Sequence, residues 1–167
     1  MLGPLFWNIG DRVMDIYAYI KRDHLKVADL MQQLLDIRLA AFHRRLFEQI
    51  KSELVLHTEA EERTFYRAIN HAAREAATEE EMVHAFDDHA EIRTLLQDLT
   101  DLSENDEMWM VKFGELKHAV EHHVQDEETN VWKKARMVLS ADQEQRLARD
   151  MDREKQKILN DVQVAAQ

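Results

Sequence analysis

From Met14 to about Ile37, apolar side chains fall at Ile16, Ile20, Val27, Leu30, Met31, Leu34 and Leu35, with Lys21, Arg22, Lys26 and Asp29 among the intervening positions. Spacings of three and four gather the apolar set on one face, which predicts an amphipathic helix. A second stripe runs from about His43 to Ala76 through Leu46, Ile50, Leu54, His57, Glu61, Phe65 and Ile69, and two of its inward members are polar. Thr78 followed by Glu81 reads as a capping box, so a third helix is expected from there to about Leu102. Ser103 to Asp106 forms the next turn, and a fourth helix is expected over about Glu107 to Leu139. Ser140 with Gln143 caps a shorter fifth helix carrying Leu147, Met151, Ile158 and Val162. Four long helices with short connections predict an all-α fold, an up-down-up-down four-helix bundle with an additional C-terminal helix packed outside. The expected division is an apolar N-terminal extension at 1–13, the bundle at 14–138 and the C-terminal helix at 139–167. Met31, Met82, Met108, Met110 and Met137 are expected to fill gaps in the core.

Composition sharpens this picture. With three Gly and one Pro, the latter at position 4, almost nothing interrupts helices after residue 11. A chain of 167 residues can bury a core as a single domain without disulfides. It contains no cysteine, which removes disulfides, thiolate nucleophiles and Cys-ligated iron–sulfur clusters and fits a reducing compartment. The formal net charge of -11 argues against nucleic acid and anionic membrane surfaces as partners and favours cations. The apolar run at the start, broken by Gly3, Pro4 and Gly10, is too short to span a bilayer. It also lacks the basic start of a signal peptide, so a cytoplasmic protein is expected.

The polar residues on the inward stripes repeat. His57-x-x-x-Glu61-Glu62-x-x-Phe65-Tyr66 returns as His123-x-x-x-Glu127-Glu128-x-x-Val131-Trp132 at an offset of 66. Asp23-His24-x-x-Val27 returns as Asp88-His89-x-x-Ile92 at an offset of 65. Helices one and two thus match helices three and four, and two such hairpins build a pseudo-twofold bundle whose matched polar residues converge. The converging set is His24, His57, Glu61, His89, His123 and Glu127. Either motif alone has a plain reading, a hydrogen-bonded core histidine or an i, i+4 surface pair. Burying six unpaired polar groups together would cost about 2–7 kcal/mol each, and metal ligation removes that cost. Four imidazoles with two carboxylates suit iron, manganese or zinc rather than calcium or magnesium, and N/O ligation without cysteine favours non-haem iron. Two metals bridged by both glutamates, with an oxo or hydroxo bridge, would each keep an open position for O2, NO or peroxide.

The remaining polar residues read differently. His43, His71, His84, His118 and His122 are expected at surface or peripheral positions, and Glu62 and Glu128 in solvent. Asp23 and Asp88 are placed to orient imidazoles, while Tyr66 and Trp132 are expected as packing or bundle-end residues, Tyr66 being also a candidate for a hydrogen bond into the cavity. A rival E-x-x-H pattern, Glu81 with His84 and Glu115 with His118, has no carboxylate or imidazole at its repeat positions in the first half and ranks below the His-rich set.

With His on the first and third helices and H-x-x-x-E on the second and fourth, Met14 to Val138 resembles the hemerythrin-like HHE cation-binding family. The resemblance implies a non-haem di-iron centre, with manganese or zinc as lesser alternatives, in which His24, His57, His89 and His123 are terminal ligands and Glu61 and Glu127 bridge. It further implies a protein that binds or reacts with O2, NO or peroxide in oxidative stress or iron handling, as a monomer or homodimer. The alternative is a non-catalytic O2 or metal sensor acting through a partner protein. Oxygen-carrying hemerythrins resemble a five-histidine design with an Asp among the bridges. Here the positions one turn either side of His89 are Ala85 and Arg93 and both carboxylates are Glu, which implies a more open and reactive centre.

Overall fold

The computed structural model describes residues 8–9, 12–75 and 83–165. The expected box at Thr78 and Glu81, and Met82, lie outside the described residues. Strand β1 (Asn8–Ile9) pairs antiparallel with β2 (Arg12–Val13), and the described residues beyond it form helices and their connections. Helix α1 spans Ile16–Asp36 and starts where Asp15 accepts a 2.9 Å hydrogen bond from the Ala18 amide, relieving one of the free N–H groups of the first turn. Helix α2 (His43–Glu61) runs through a π-helical turn, Glu62–Tyr66, into α3 (Arg67–Glu75). Helix α4 covers Val83–Asp101, and α5 (Glu107–Asp126) continues through a second π turn, Glu127–Val131, into α6 (Trp132–Val138). The predicted second and fourth helices are therefore long rods, each interrupted by one π turn. Helix α7 (Ala141–Ala165) begins with the expected reciprocal box: the Ser140 amide donates to Gln143 Oε1 at 2.8 Å, and the Gln143 amide to Ser140 Oγ at 3.3 Å.

Helices α1 and α2 form one hairpin and α4 and α5 the other, joined into an up-down-up-down bundle, while α7 lies along α1, α2 and the first π turn. Two apolar clusters fill the interior. One gathers Ile16, Ile20, Phe65, Ile69, Ala135, Leu147 and Met151; the other gathers Val27, Met31, Leu34, Phe47, Ile50, Trp109 and Phe113. On every bundle helix the candidate ligands fall in sequence between these two stretches, so the site is a polar layer between apolar plugs. Arg44 closes the far end by donating to the Leu102 and Leu99 carbonyls at 2.6 and 3.3 Å, pairing off oxygens that the end of α4 leaves open.

Some expectations fail for a physical reason. Met31 is buried, but Met108, Met110 and Met137 are exposed, because they sit near helix ends on faces that no described element covers. Val162 is exposed near the end of α7, whose inward stripe stops at Ile158. His43 is buried: it stacks on Trp109 at 5.7 Å between ring centroids, and its Nε2 lies 2.9 Å from the Ile37 carbonyl.

Candidate metal centre

The six converging residues do meet, and all are buried, Glu61, Glu127 and His89 completely so. The i, i+4 spacing sets each His–Glu pair on one face of its rod: His57 Nε2 lies 3.5 Å from Glu61 Oε2, and His123 Nε2 lies 3.7 Å from Glu127 Oε2. The partner hairpins complete the ring, with His89 Nε2 at 3.3 Å from Glu61 Oε2 and His24 Nε2 at 3.1 Å from Glu127 Oε2. Donor atoms of His24, His57, His123 and Glu127, and those of Glu61, His89 and His123, are close enough together to hold a metal ion.

Each imidazole also turns its Nδ1 to a carboxylate. His24 faces Glu128 at 2.9 Å, His89 faces Glu62 at 2.9 Å, His57 faces Asp23 at 3.2 Å, and His123 lies 3.8 Å from Asp88. An ionised carboxylate only accepts, so the imidazole proton belongs on Nδ1 and the Nε2 lone pair faces the centre. The orienting role expected of Asp23 and Asp88 thus extends to Glu62 and Glu128, which the sequence reading had placed in solvent. These two glutamates are only partly exposed. Arg93 holds Glu62 at 2.9 Å and Lys21 holds Glu128 at 2.6 Å. The sequence carries a signal for these two glutamates, since both motifs read Glu-Glu at matched positions.

The π turns explain why these neighbours reach inward. In a π turn residue i+5 lies above residue i, so Tyr66 comes back over Glu61. Its hydroxyl donates to Glu127 Oε1 at 3.1 Å, and its ring stacks on His89 at 5.3 Å. Thr64 Oγ1 donates to the Ala60 carbonyl at 2.7 Å, occupying an oxygen of the last α-helical turn. No expectation from sequence included the π turns, because helical periodicity over ten residues does not resolve one inserted residue.

The electrostatics of this layer are unbalanced without a cation. His24 Nε2, His57 Nε2, both Glu61 oxygens and Glu127 Oε2 have no hydrogen-bond partner despite complete burial. His89 Nε2 and His123 Nε2 face each other at 3.2 Å, a repulsive pair if both are lone pairs. Burial and the Glu127 charge push the Glu61 carboxyl well up. At Glu127 burial acts the same way, but the close approach of His24 and the neighbouring His123 outweigh it and hold that carboxyl down. Burial lowers His57 to about 4 against the pull of Asp23. A buried polar group is ordinarily satisfied, so five orphaned atoms gathered in one layer fit bound cations. The donor chemistry, imidazole and carboxylate without sulfur, fits iron, manganese or zinc.

The rival pattern is excluded where it can be seen: His84, Glu115 and His118 are exposed. The position of a fifth imidazole is closed, since Ala85 is buried and Arg93 is bound to Glu62 outside the layer.

A helical bundle with a symmetric His/Glu layer at its middle defines the class, a metal-binding four-helix bundle. A model of the hemerythrin HHE cation-binding domain matches residues 15–135, and the chain belongs to that family. A solved structure of a hemerythrin HHE cation-binding domain-containing protein from Mycobacterium kansasii superposes with a TM-score of 0.72 at 17% identity, covering 90% of this chain and 93% of that one. A DNA nickase from Nostoc sp. is 28% identical over 145 residues, 87% of this chain. The chain spans 40% of the length of that relative. Among the described residues no helix is long and apolar enough to cross a membrane.

Proposed function

We propose that this chain holds a pair of non-haem iron ions through His24, His57, His89 and His123 as terminal ligands and Glu61 and Glu127 as bridges, and that the pair binds or reacts with O2, NO or peroxide. The observation that carries the proposal is the convergence of five unpartnered, fully buried polar atoms on one layer. An iron pair there supplies reversible one-electron steps and open coordination positions for a small ligand. The protein supplies the rest. The four Nδ1 carboxylates fix the rings and keep the Nε2 lone pairs inward. Tyr66 holds a proton at its hydroxyl, directed at Glu127, and burial with the two neighbouring carboxylates keeps that phenol from ionising. The apolar clusters on either side exclude water. With Ala85 where a fifth imidazole would stand, the layer has one donor fewer than a saturated carrier, which favours reaction over reversible carriage. The net charge of -11 repels phosphate backbones, so the proposal includes no nucleic-acid substrate.

Protein purified without added metal is the material for the test. Metal analysis should give about two iron ions per chain. The near-ultraviolet and visible spectrum should change on reduction and lose its iron bands in His57→Ala and Glu127→Ala variants. Less than about one ion per chain, or an unchanged spectrum in both variants, overturns the iron pair. Turnover of peroxide, O2 or NO by the loaded protein decides between an enzyme and a sensor.

A further inference from the structure

Lys155 is the one lysine among the described residues whose side chain is buried, 8% exposed as a residue. It stands on α7, outside the 15–135 region that defines the family. The inward stripe of α7 reads Leu147, Ala148, Met151, Lys155 and Ile158, so a cation occupies a position its neighbours reserve for apolar groups. Its Nζ reaches Asp23 Oδ2, the same oxygen that accepts from His57 Nδ1. Tyr19 lies beneath it, with Nζ 5.1 Å from the ring centroid, and its hydroxyl donates to Asp152 one turn back on α7. Arg22 adds a longer contact of 3.5 Å to Asp23 Oδ1.

Among the described residues the second hairpin has no equivalent. Asp88, the repeat counterpart of Asp23, faces His123 at 3.8 Å and the exposed His122 at 3.7 Å. It is also more open to solvent, its side chain 16% exposed against 7% for Asp23. The reason is in the sequence. At the repeat positions of Tyr19, Leu56 and Ala60, which pack in the α7-side cluster, the second half has His84, His122 and Asp126. That surface does not attract an apolar helix. Behind His57 the charges of Asp23 and Lys155 offset one another, whereas behind His123 no lysine or arginine among the described residues pairs with Asp88.

Building on the proposed metal pair, we infer that Lys155 is a positioning residue that makes the two metal positions unequal, by partly neutralising the carboxylate behind His57 and placing a buried positive charge on that side alone. A carboxylate on Nδ1 strengthens an imidazole as a ligand, and a lysine sharing the same oxygen weakens that effect. The buried charge also disfavours a further cation nearby, more so at low dielectric. The position served by His57 therefore binds a divalent ion more weakly and, once filled with iron, is reduced more easily.

Anaerobic calorimetric titration of the metal-free full chain with Fe(II) tests this, alongside the Mössbauer spectrum of the loaded protein. In the wild type the two ions should bind in separate steps with dissociation constants at least about tenfold apart, and give two ferrous signals. Lys155→Met should narrow the gap to less than about threefold, and Lys155→Arg, which keeps the charge, should retain it. A structural role would instead weaken both steps together in both variants. Equal binding at both positions in the wild type overturns the inference without any variant, as does a gap unchanged in Lys155→Met. Absence of Fe(II) binding overturns the metal pair itself, which separates the two failures.

Discussion

The α1–α2 and α4–α5 hairpins are two versions of one design, and their difference is on the outside. Facing inward their candidate ligands and π turns match, His24 with His89, His57 with His123 and Glu61 with Glu127, and the exception is Tyr66, whose counterpart is Trp132. Facing outward they part. Leu56 and Ala60 pack beneath α7, while their counterparts His122 and Asp126 are exposed and half-buried. The layer of polar residues is constrained from all four helices at once, since moving one imidazole disturbs its Nε2 neighbours and its Nδ1 carboxylate together. An outer face answers only to whatever covers it. Symmetry in this molecule therefore marks the chemistry, and asymmetry marks the added helix.

The sharpest test of the inward symmetry is to break it at matched positions. Glu61→Gln and Glu127→Gln should each reduce bound metal from about two ions to fewer than about one, with equal severity, because each removes an anionic donor shared by both halves. The metal-free Glu61→Gln form should unfold at a temperature no lower than the wild type, since a neutral amide costs no more to bury than the unpartnered Glu61 carboxyl. Metal analysis and thermal melts of the two variants read both outcomes. Retention of metal by one and not the other would show that the halves are unequal at the bridges themselves.

Much of this was legible in the chain. The all-α bundle followed from helical periodicity with few breakers, and the meeting of His24, His57, Glu61, His89, His123 and Glu127 followed from two matching offsets. What stayed hidden depended on small geometric changes or on long-range packing. A π turn inserts one residue, too little to shift an apolar stripe, and Glu62 and Glu128 inside these turns accept hydrogen bonds from imidazoles rather than facing solvent. Lys155 was visible as a charge on an apolar stripe, but its partner lies 132 residues away and no local pattern names it. Met108 and Met137 were misread because apolar character alone does not say which helix face is covered.

The next largest effect concerns the covering helix. Met151 is completely buried where α7 meets the first hairpin, so Met151→Ala should cost about 2–5 kcal/mol of unfolding free energy. On the second hairpin, His122→Ala removes a side chain that is 67% exposed and should change stability by less than about 0.5 kcal/mol. Denaturant melts compare the two directly. Similar losses from both would mean that the second hairpin is covered in solution.

Smaller effects are expected from the carboxylates behind the imidazoles. Glu62→Gln and Glu128→Gln leave the fold intact but weaken the hold on the Nδ1 protons of His89 and His24, and each should lower metal affinity about 10–100-fold. The two belong to matched positions, so their losses should agree; competition with a chromophoric chelator measures them. A much larger loss for one would place it among the direct ligands.

The smallest effect is one of pH, and it again separates the hairpins. Tyr17 donates to Glu144 at 2.8 Å and Tyr19 to Asp152 at 3.1 Å, tying α1 to α7. Burial first, then the neighbouring acids, raise both phenols above their ordinary value. A group raised by folding contributes stability that is fully present below its unfolded pKa, about 10 for tyrosine, and lost as pH climbs toward the folded value. The wild type should therefore lose stability above pH of about 10 more steeply than a Tyr17→Phe, Tyr19→Phe double variant, because the unfolded chain of the wild type can ionise these phenols and the folded one resists it. The second hairpin has His84 at the position matching Tyr19, and no such hydrogen bond joins its described residues to α7. Thermal melts in steps from pH 8 to 11 read the difference, and parallel curves for the two proteins would mean that these hydroxyls do not anchor α7.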